Sequence, residues 1–474
     1  MTPGAVPPAV SKPARKKLDR SIVEGPIGTA VWRLAWPTVL QNAIGGLQGI
    51  IDHAMVGHFV GYTGNAAVGV SWQIFLVVVV FIVSLFTGMG VLVSRFAGAN
   101  DHDKVDRTVY QAFLTALFLA VGILAPLGYV LSPSLLGMVN ASPAVQAEAL
   151  PYIRTLFLFS IGMLMFFMIG GALRSAGDAR TPLYLGAALT VLNITFNVIL
   201  IRGWGPIPAF GTVGAALGTV VASGIVSLVA IWMILAGKLV IHFPREMSWK
   251  PDWQIIRALF KYGLPAGFQG IAMNIAGVLL LRFIGSLEHS AEAQAAFAVC
   301  YAELFSLITW TSVGLMGAAA AVAGQNLGAG RPDRSARAVF LAARYGVGVA
   351  SFIGALFWLV PEQLLAIFDI REPIVVDLGR ELLRYLSISG LFITVALTYT
   401  GGLQGTGDTR SPLVITLISQ LLVPLGICFT AQGMGALHSY TVWTAILAGH
   451  FTRCALSVAR FQQGRWRTIA VQLR

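Results

Sequence analysis

Gly170-Gly-Ala-Leu-Arg-Ser-Ala-Gly-Asp-Ala-Arg-Thr-Pro-Leu183 and Thr400-Gly-Gly-Leu-Gln-Gly-Thr-Gly-Asp-Thr-Arg-Ser-Pro-Leu413 are one stretch of sequence written twice, 230 residues apart. Asp178 answers Asp408, Arg180 answers Arg410 and Pro182 answers Pro412; at the same offset Gly98-Ala99 answers Gly328-Ala329. Nearer the start of each half, Leu34-Ala-Trp-Pro37-Thr-Val-Leu-Gln41 answers Tyr262-Gly-Leu-Pro265-Ala-Gly-Phe-Gln269. Each copy reads as a helix end, a turn and a helix start. Gly177 and Gly407 sit where positive φ is needed. Asp178 and Asp408 are placed to cap the next helix, whose first turn holds Pro182 or Pro412. Arg180 and Arg410 are then free to pair with that carboxylate or with lipid phosphate. A chain that repeats itself at this distance is built of two related halves.

Composition puts both halves in a membrane. Of 474 residues 56% are hydrophobic and 11% charged, and the mean hydropathy is +0.77. Soluble domains carry roughly 25% charged residues, so a soluble fold would lack the polar surface to cover itself. Twelve apolar stretches, from 33–57 to 439–460, are long enough to cross a ~30 Å hydrocarbon core as helices. Runs such as Ile74 to Leu85 do not alternate as barrel strands must. The fold class expected is an all-α integral membrane protein with twelve transmembrane helices in two pseudo-symmetric six-helix lobes. With the N-terminus cytoplasmic, 26 of the 32 Lys and Arg fall in or beside inner segments, among them Arg453. That bias accounts for the net charge of +12 through lipid contact, without nucleic acid.

The organisation expected is a disordered cytoplasmic tail at 1–24, an N-lobe at 25–237, a cytoplasmic linker at 238–262, a C-lobe at 263–460 and a tail at 461–474. The Pro-, Ala- and Lys-rich residues 1–24 lack the apolar core of a secretory signal. Cys300, Cys428 and Cys454 are scattered over separate spans, so neither a disulfide framework nor a metal site is expected.

Polar residues inside the spans are the functional candidates, because an ionised group at bilayer depth costs roughly 2.5–3.5 kcal/mol on insertion scales. Two acids lie well inside: Asp52 on helix one and Glu303 on helix eight. Gln48 shares a face with Asp52, one turn earlier. On helix five Asn193 and Asn197 share a face, and helix six offers Thr219. Taken alone, the last three read as ordinary interhelical hydrogen bonding worth ~0.6 kcal/mol each. Glu303 is answered by Gln73 at the repeat offset, with Tyr301 and Trp72 flanking. Gln48, Gln73, Glu303 and Tyr301 are the expected cavity residues. Glu303 is open to three roles: substrate counter-ion, second proton site or partner of Arg282.

The repeated Gly-Asp-x-Arg-x-Pro-Leu element, preceded in the second copy by Gly405-Thr, the stretch Pro37-Thr-Val-Leu-Gln-Asn42 with Ile51-Asp-His-Ala-Met-Val-Gly57, and the Gly98-Ala and Gly328-Ala elbows resemble the multidrug and toxic compound extrusion (MATE) family over about residues 30–460. The resemblance implies two lobes around a V-shaped cavity, and antiport of organic, often cationic compounds against Na⁺ or H⁺. It also implies a cation-coupling pocket at Asp52, Asn193, Asn197 and Thr219. Asn197 departs from the family pattern, where Asp is common. A single carboxylate leaves less charge to hold Na⁺ at Asp52, yet suffices for proton antiport, since carboxyl groups removed from water titrate nearer neutrality. The acids that one branch of the family carries in its C-lobe are replaced here by Met273 and Ile393.

No Cys/His cluster, P-loop or HExxH motif appears, so an enzyme and an ATP-driven pump are both disfavoured. A lipid-linked sugar flippase is the rival reading; the Arg-lined cavity it needs is missing from the inner spans. The expected partners are a small-molecule substrate and the bilayer, with no cofactor beyond the coupling ion. The expected state is a monomer in the inner membrane with both termini cytoplasmic.

Overall fold

The computed structural model describes residues 18–139, 142–244, 247–368 and 370–471. Among these are twelve long helices and no strand. The first lobe holds α1 (Ile27–Phe59), α2 (Tyr62–Gly98), α3 (His102–Met138), α4 (Pro143–Leu158 and Ile161–Ser175, bent by 52°), α5 (Arg180–Arg202) and α6 (Gly211–Leu235). The second holds α7 (Trp253–Ile284), α8 (Ser290–Gly328), α9 (Pro332–Leu359), α10 (Pro373–Gly405), α11 (Arg410–Gly433) and α12 (Ser439–Gln462). All but α1 are apolar enough to cross a membrane, α4 as a bent pair. Helix α1 is the exception because it carries Arg33, Gln41, Asn42, Gln48, Asp52 and His53. The repeat-related Pro37 and Pro265 lie inside α1 and α7. Wide π turns interrupt α3 at Phe118–Leu124, α8 at Ala298–Leu304 and α11 at Leu417–Leu422.

The two copies of the opening sequence motif form matching turns. Gly177 has φ 99° and Gly407 has φ 97°, a region closed to side chains without strain. Asp178 accepts from the Thr181 amide at 3.0 Å and from its hydroxyl at 2.7 Å; Asp408 accepts from the Ser411 amide at 3.2 Å and its hydroxyl at 2.9 Å. Pro182 and Pro412 fall in the first turns of α5 and α11. The ion pair to Asp408 comes from Arg460 of α12, at 2.8 Å, and not from Arg410; Arg180 and Arg410 are exposed. Both turns lie at the end of the molecule that carries the basic connections, here called the basic end.

The lobes meet there through α2, which packs on α7 and α8, and through α1, which packs on α8. Gly88 lies against the Leu259 carbonyl and Gly98 against that of Gln325; Gly46 lies on the Trp310 ring, and the Asn42 amide donates to the Trp310 carbonyl at 3.2 Å. Nearer the opposite end, Ile50, Gln73, Met273 and Leu307 are exposed.

Three expected boundaries move. Residues 18–24, read as tail, are folded: Ser21–Glu24 is helical, and Leu18, Ile22 and Val23 are buried. The carbonyls of Ile22, Val23 and Gly25 accept from Asn326, Arg331 and Arg334, while Arg20 donates to the Gly98 carbonyl at 3.3 Å. This segment therefore stitches the end of α2 to the α8–α9 turn; residues 1–17 lie outside the described residues. In the C-terminal stretch, Trp466 is buried on Phe461, and the Arg95 guanidinium reaches the Ile469 carbonyl; residues 472–474 are not described. The connection between lobes ends earlier than 262, because Asp252 caps α7 by accepting from the amides of Gln254 and Ile255.

Candidate functional site

In the N-lobe a chain of side chains runs across three helices. Thr190 of α5 donates to Gln48 of α1 at 2.7 Å, and Gln48 lies one turn from Asp52, within its electrostatic reach. The Asn197 Nδ2 donates to Asp52 Oδ1 at 2.8 Å and to Asn193 Oδ1 at 3.3 Å. Asn193 Nδ2 donates to Thr219 Oγ1 at 3.1 Å, and the Thr219 hydroxyl donates to the Ala215 carbonyl at 3.0 Å. Asp52, Asn193, Asn197 and Thr219 are thus brought together. The four-residue spacings of Gln48 with Asp52 and of Asn193 with Asn197 put each pair on one helical face. Asn193 and Asn197 are fully buried, and Asn197 Oδ1 has no partner.

A cavity of about 380 Å³ abuts this chain, lined among others by Gln41, Gln48, Trp72, Thr190, Asn193 and Thr219. Asp52 stands behind its wall, joined to the lining Asn193 through Asn197. His53 points away and bonds Asn65 at 2.6 Å. The buried Tyr152 of α4 lies within electrostatic reach of Asp52. Neither Tyr152 nor Thr190 stood out in the sequence, although Thr190 sits one turn before Asn193. Among the described residues no group of three metal-ligating His, Cys, Asp or Glu side chains occurs.

Helices α5 and α6 come this close because Gly218 has no side chain; a Cβ there would lie 1.9 Å from Asn197 Oδ1. Gly218→Ala is therefore expected to cost about 1–3 kcal/mol of overpacking. The variant should unfold at lower temperature than the wild type in a thermal melt. Gly224→Ala on the same helix meets open space and should not.

The C-lobe holds a second cavity, of about 320 Å³, lined by Met273, Asn274, Tyr301, Gln420, Gly449 and His450 among others. Tyr301, expected in the cavity between the lobes, lines this one within the C-lobe. Glu303 and Gln73 line neither cavity: both are exposed, and no ion pair joins Glu303 to Arg282 among the described residues. A third cavity of about 240 Å³ lies between the lobes at the basic end. Two repeat-related contacts border it, Arg174 donating to Gln41 at 3.0 Å and Gln404 donating to Gln269 at 3.2 Å.

The MatE family model matches the chain twice, over residues 37–199 and 265–430. The probable multidrug resistance protein NorM of Thermotoga maritima is 26% identical over 447 residues, 93% of this chain and 94% of its own. The multidrug resistance protein MdtK of Yersinia pestis is 25% identical over 396 residues, 83% of this chain and 85% of its own. An outward-facing multidrug resistance MATE family transporter of the MOP superfamily superposes with a TM-score of 0.86 at 21% identity, covering 95% of this chain and 98% of that one. A MOP superfamily transporter from Pyrococcus furiosus gives 0.87 at 20%, covering 96% and 100%. These two likenesses carry the fold. Twelve helices in two related lobes, with a family match on each half, make this chain a member of the multidrug and toxic compound extrusion family of multi-pass membrane transporters.

Proposed function

We propose that the protein exports organic, cationic and amphipathic compounds across the inner membrane in exchange for H⁺, with Asp52 as the coupling carboxylate. The observation that carries this reading is the bond from Asn197 Nδ2 to Asp52 Oδ1. An amide N–H turned to the carboxylate suits a group that alternates between charged and protonated forms. Na⁺ needs oxygens instead. Of the nearby oxygens, Asn193 Oδ1 and Thr219 Oγ1 are already engaged. A proton on Asp52 supplies the one thing the network lacks, a donor for the unpartnered Asn197 Oδ1 once that amide turns over.

Export follows from the same exchange. Ionised Asp52 lends negative charge to a cavity whose Trp72, Phe166, Phe167 and Trp310 stack on cationic aromatic solutes. Protonation removes the charge and draws α1 and α5 together, which expels the solute. The bias of Lys and Arg to one end supports cytoplasmic placement of that end and of both described termini. The names of the relatives support multidrug export.

The test is dye efflux from everted vesicles under separately imposed proton and sodium gradients. A proton gradient should drive efflux in sodium-free buffer, and Asn197→Asp, which adds a second carboxylate, should introduce sodium dependence. A strict sodium requirement in the wild type would overturn the proton assignment.

A further inference from the structure

The C-lobe cavity is built from α7, α8, α11 and α12, the repeat partners of α1, α2, α5 and α6 around Asp52, yet its polarity is reversed. Where α1 has Asp52, α7 has Leu280 at the offset of Pro37 and Pro265. Where α5 has Asn193 and Asn197, α11 has Val423, Pro424, Ile427 and Cys428. What the C-lobe has instead is a cation. Arg453 of α12 is 1% exposed, and its Nη1 rests 3.9 Å from the sulfur of Met273, which lines the cavity. Its field falls on Tyr301 and His450, which line it too.

Among the described residues no carboxylate pairs with this guanidinium. Glu303 is exposed, Glu381 accepts from Ser439, and Asp408 is paired with Arg460. Arg453 Nε and His450 Nδ1 are buried without a hydrogen-bond partner, and His450 is 3% exposed. A buried cation left uncompensated is costly, and that cost is removed when an anion enters. Two of the three π turns carry cavity residues, Tyr301 in α8 and Gln420 in α11; such turns recur at functional sites. Three rings line one wall, Phe297, Tyr301 and His450; Phe297 stacks on Tyr301 at 4.7 Å, while Trp443 and Phe305 pack behind them.

We propose that this cavity binds the carboxylate of a planar aromatic solute. Arg453 is the counter-ion, Tyr301, Gln420, Asn274 and His450 supply hydrogen bonds, and the lining rings supply the stacking face. The assignment rests on the reading of the chain as an exporter only for its consequence, that carboxylate-bearing aromatic compounds are among the solutes carried. Binding itself needs no gradient and no Asp52.

Full-length protein purified in detergent, in chloride-free methanesulfonate buffer, is titrated calorimetrically with 2-naphthoate and with 2-naphthamide. The wild type should prefer the carboxylate by about tenfold, as expected for one charge-assisted contact. Arg453→Gln should reduce the preference to within about twofold, with Arg453→Lys keeping part of it. Asn274→Asp, at an exposed position on the cavity wall, should abolish it by repulsion and serves if the Arg453 variants do not fold. Equal binding of the two probes by the wild type overturns the proposal, as does a preference that survives both Arg453→Gln and Asn274→Asp. Displacement of naphthoate by low chloride would overturn the organic assignment and leave an inorganic anion site. Asp52→Asn should stop efflux and leave naphthoate binding intact, which separates failure of this site from failure of the transport mechanism.

Discussion

Asp52→Asn is expected to reduce proton-driven dye efflux to the background of vesicles without the protein, while the purified variant stays monodisperse. The side chain keeps its shape, so the packing of α1 on α5 persists. What goes is the one carboxylate of the N-lobe chain. With it go the charge that attracts a cationic solute and the group that takes up the exchanged proton. Removing a neutral member is milder. Asn193→Ala and Thr219→Ala each delete one interhelical hydrogen bond, worth ~0.6 kcal/mol in membrane helices, and should slow efflux without uncoupling it. The graded series is the measurement. Efflux by Asp52→Asn at the wild-type rate would remove Asp52 from the mechanism, and a loss as complete in Thr219→Ala would mean that the geometry of the chain, not its charge, is limiting.

The N-lobe site was legible because regular α-helical spacing and a written-out repeat place it. Gln48 with Asp52, and Asn193 with Asn197, are four apart on uninterrupted helices, so periodicity put each pair on one face. The C-lobe was less legible for a physical reason. Helix α8 passes through a π turn at Ala298–Leu304, and the 3.6-residue spacing that moves a side chain from face to face does not hold across it. Tyr301 lines the cavity while Glu303 is exposed, since residues two apart fall on different faces of a helix even without the π turn. Arg453 was hidden by its type: near the end of an apolar span, an Arg reads as a topology signal, and only burial among rings distinguishes a site from a stop signal. The folded stretch at 18–24 was hidden too, since its order comes from Asn326, Arg331 and Arg334, some 300 residues away.

Gly98→Ala is expected to hold the lobes apart at the basic end and to stall transport. The repeat shows why. A Cβ on Gly98 would lie 1.9 Å from the Gln325 carbonyl oxygen, and one on Gly328 would lie 2.1 Å from that of Arg95. Gly98 answers Gly328, and Arg95 answers Gln325, at the same 230-residue offset. Helices α2 and α8 therefore cross about the pseudo-twofold axis itself, each glycine seated on the other helix's backbone. A backbone oxygen cannot swing aside as a side chain can, so one methyl group must part the lobes by more than an ångström. At about 1–3 kcal/mol of overpacking, the population closed at this end falls by roughly five- to 150-fold. Ser175→Cys, on the wall of the basic-end cavity, reports the change through its rate of maleimide labelling in a Cys454→Ala background. Labelling should rise and efflux fall in Gly98→Ala and, by the symmetry of the contact, in Gly328→Ala. Gly317→Ala lines the same cavity but meets nothing within 4 Å, and should behave as wild type. Unchanged labelling in both crossing variants would mean that the glycines serve only the elbows after α2 and α8. That reading is already weakened by the backbone, since Asn100 and Gly330, not Gly98 and Gly328, carry the positive φ of those turns.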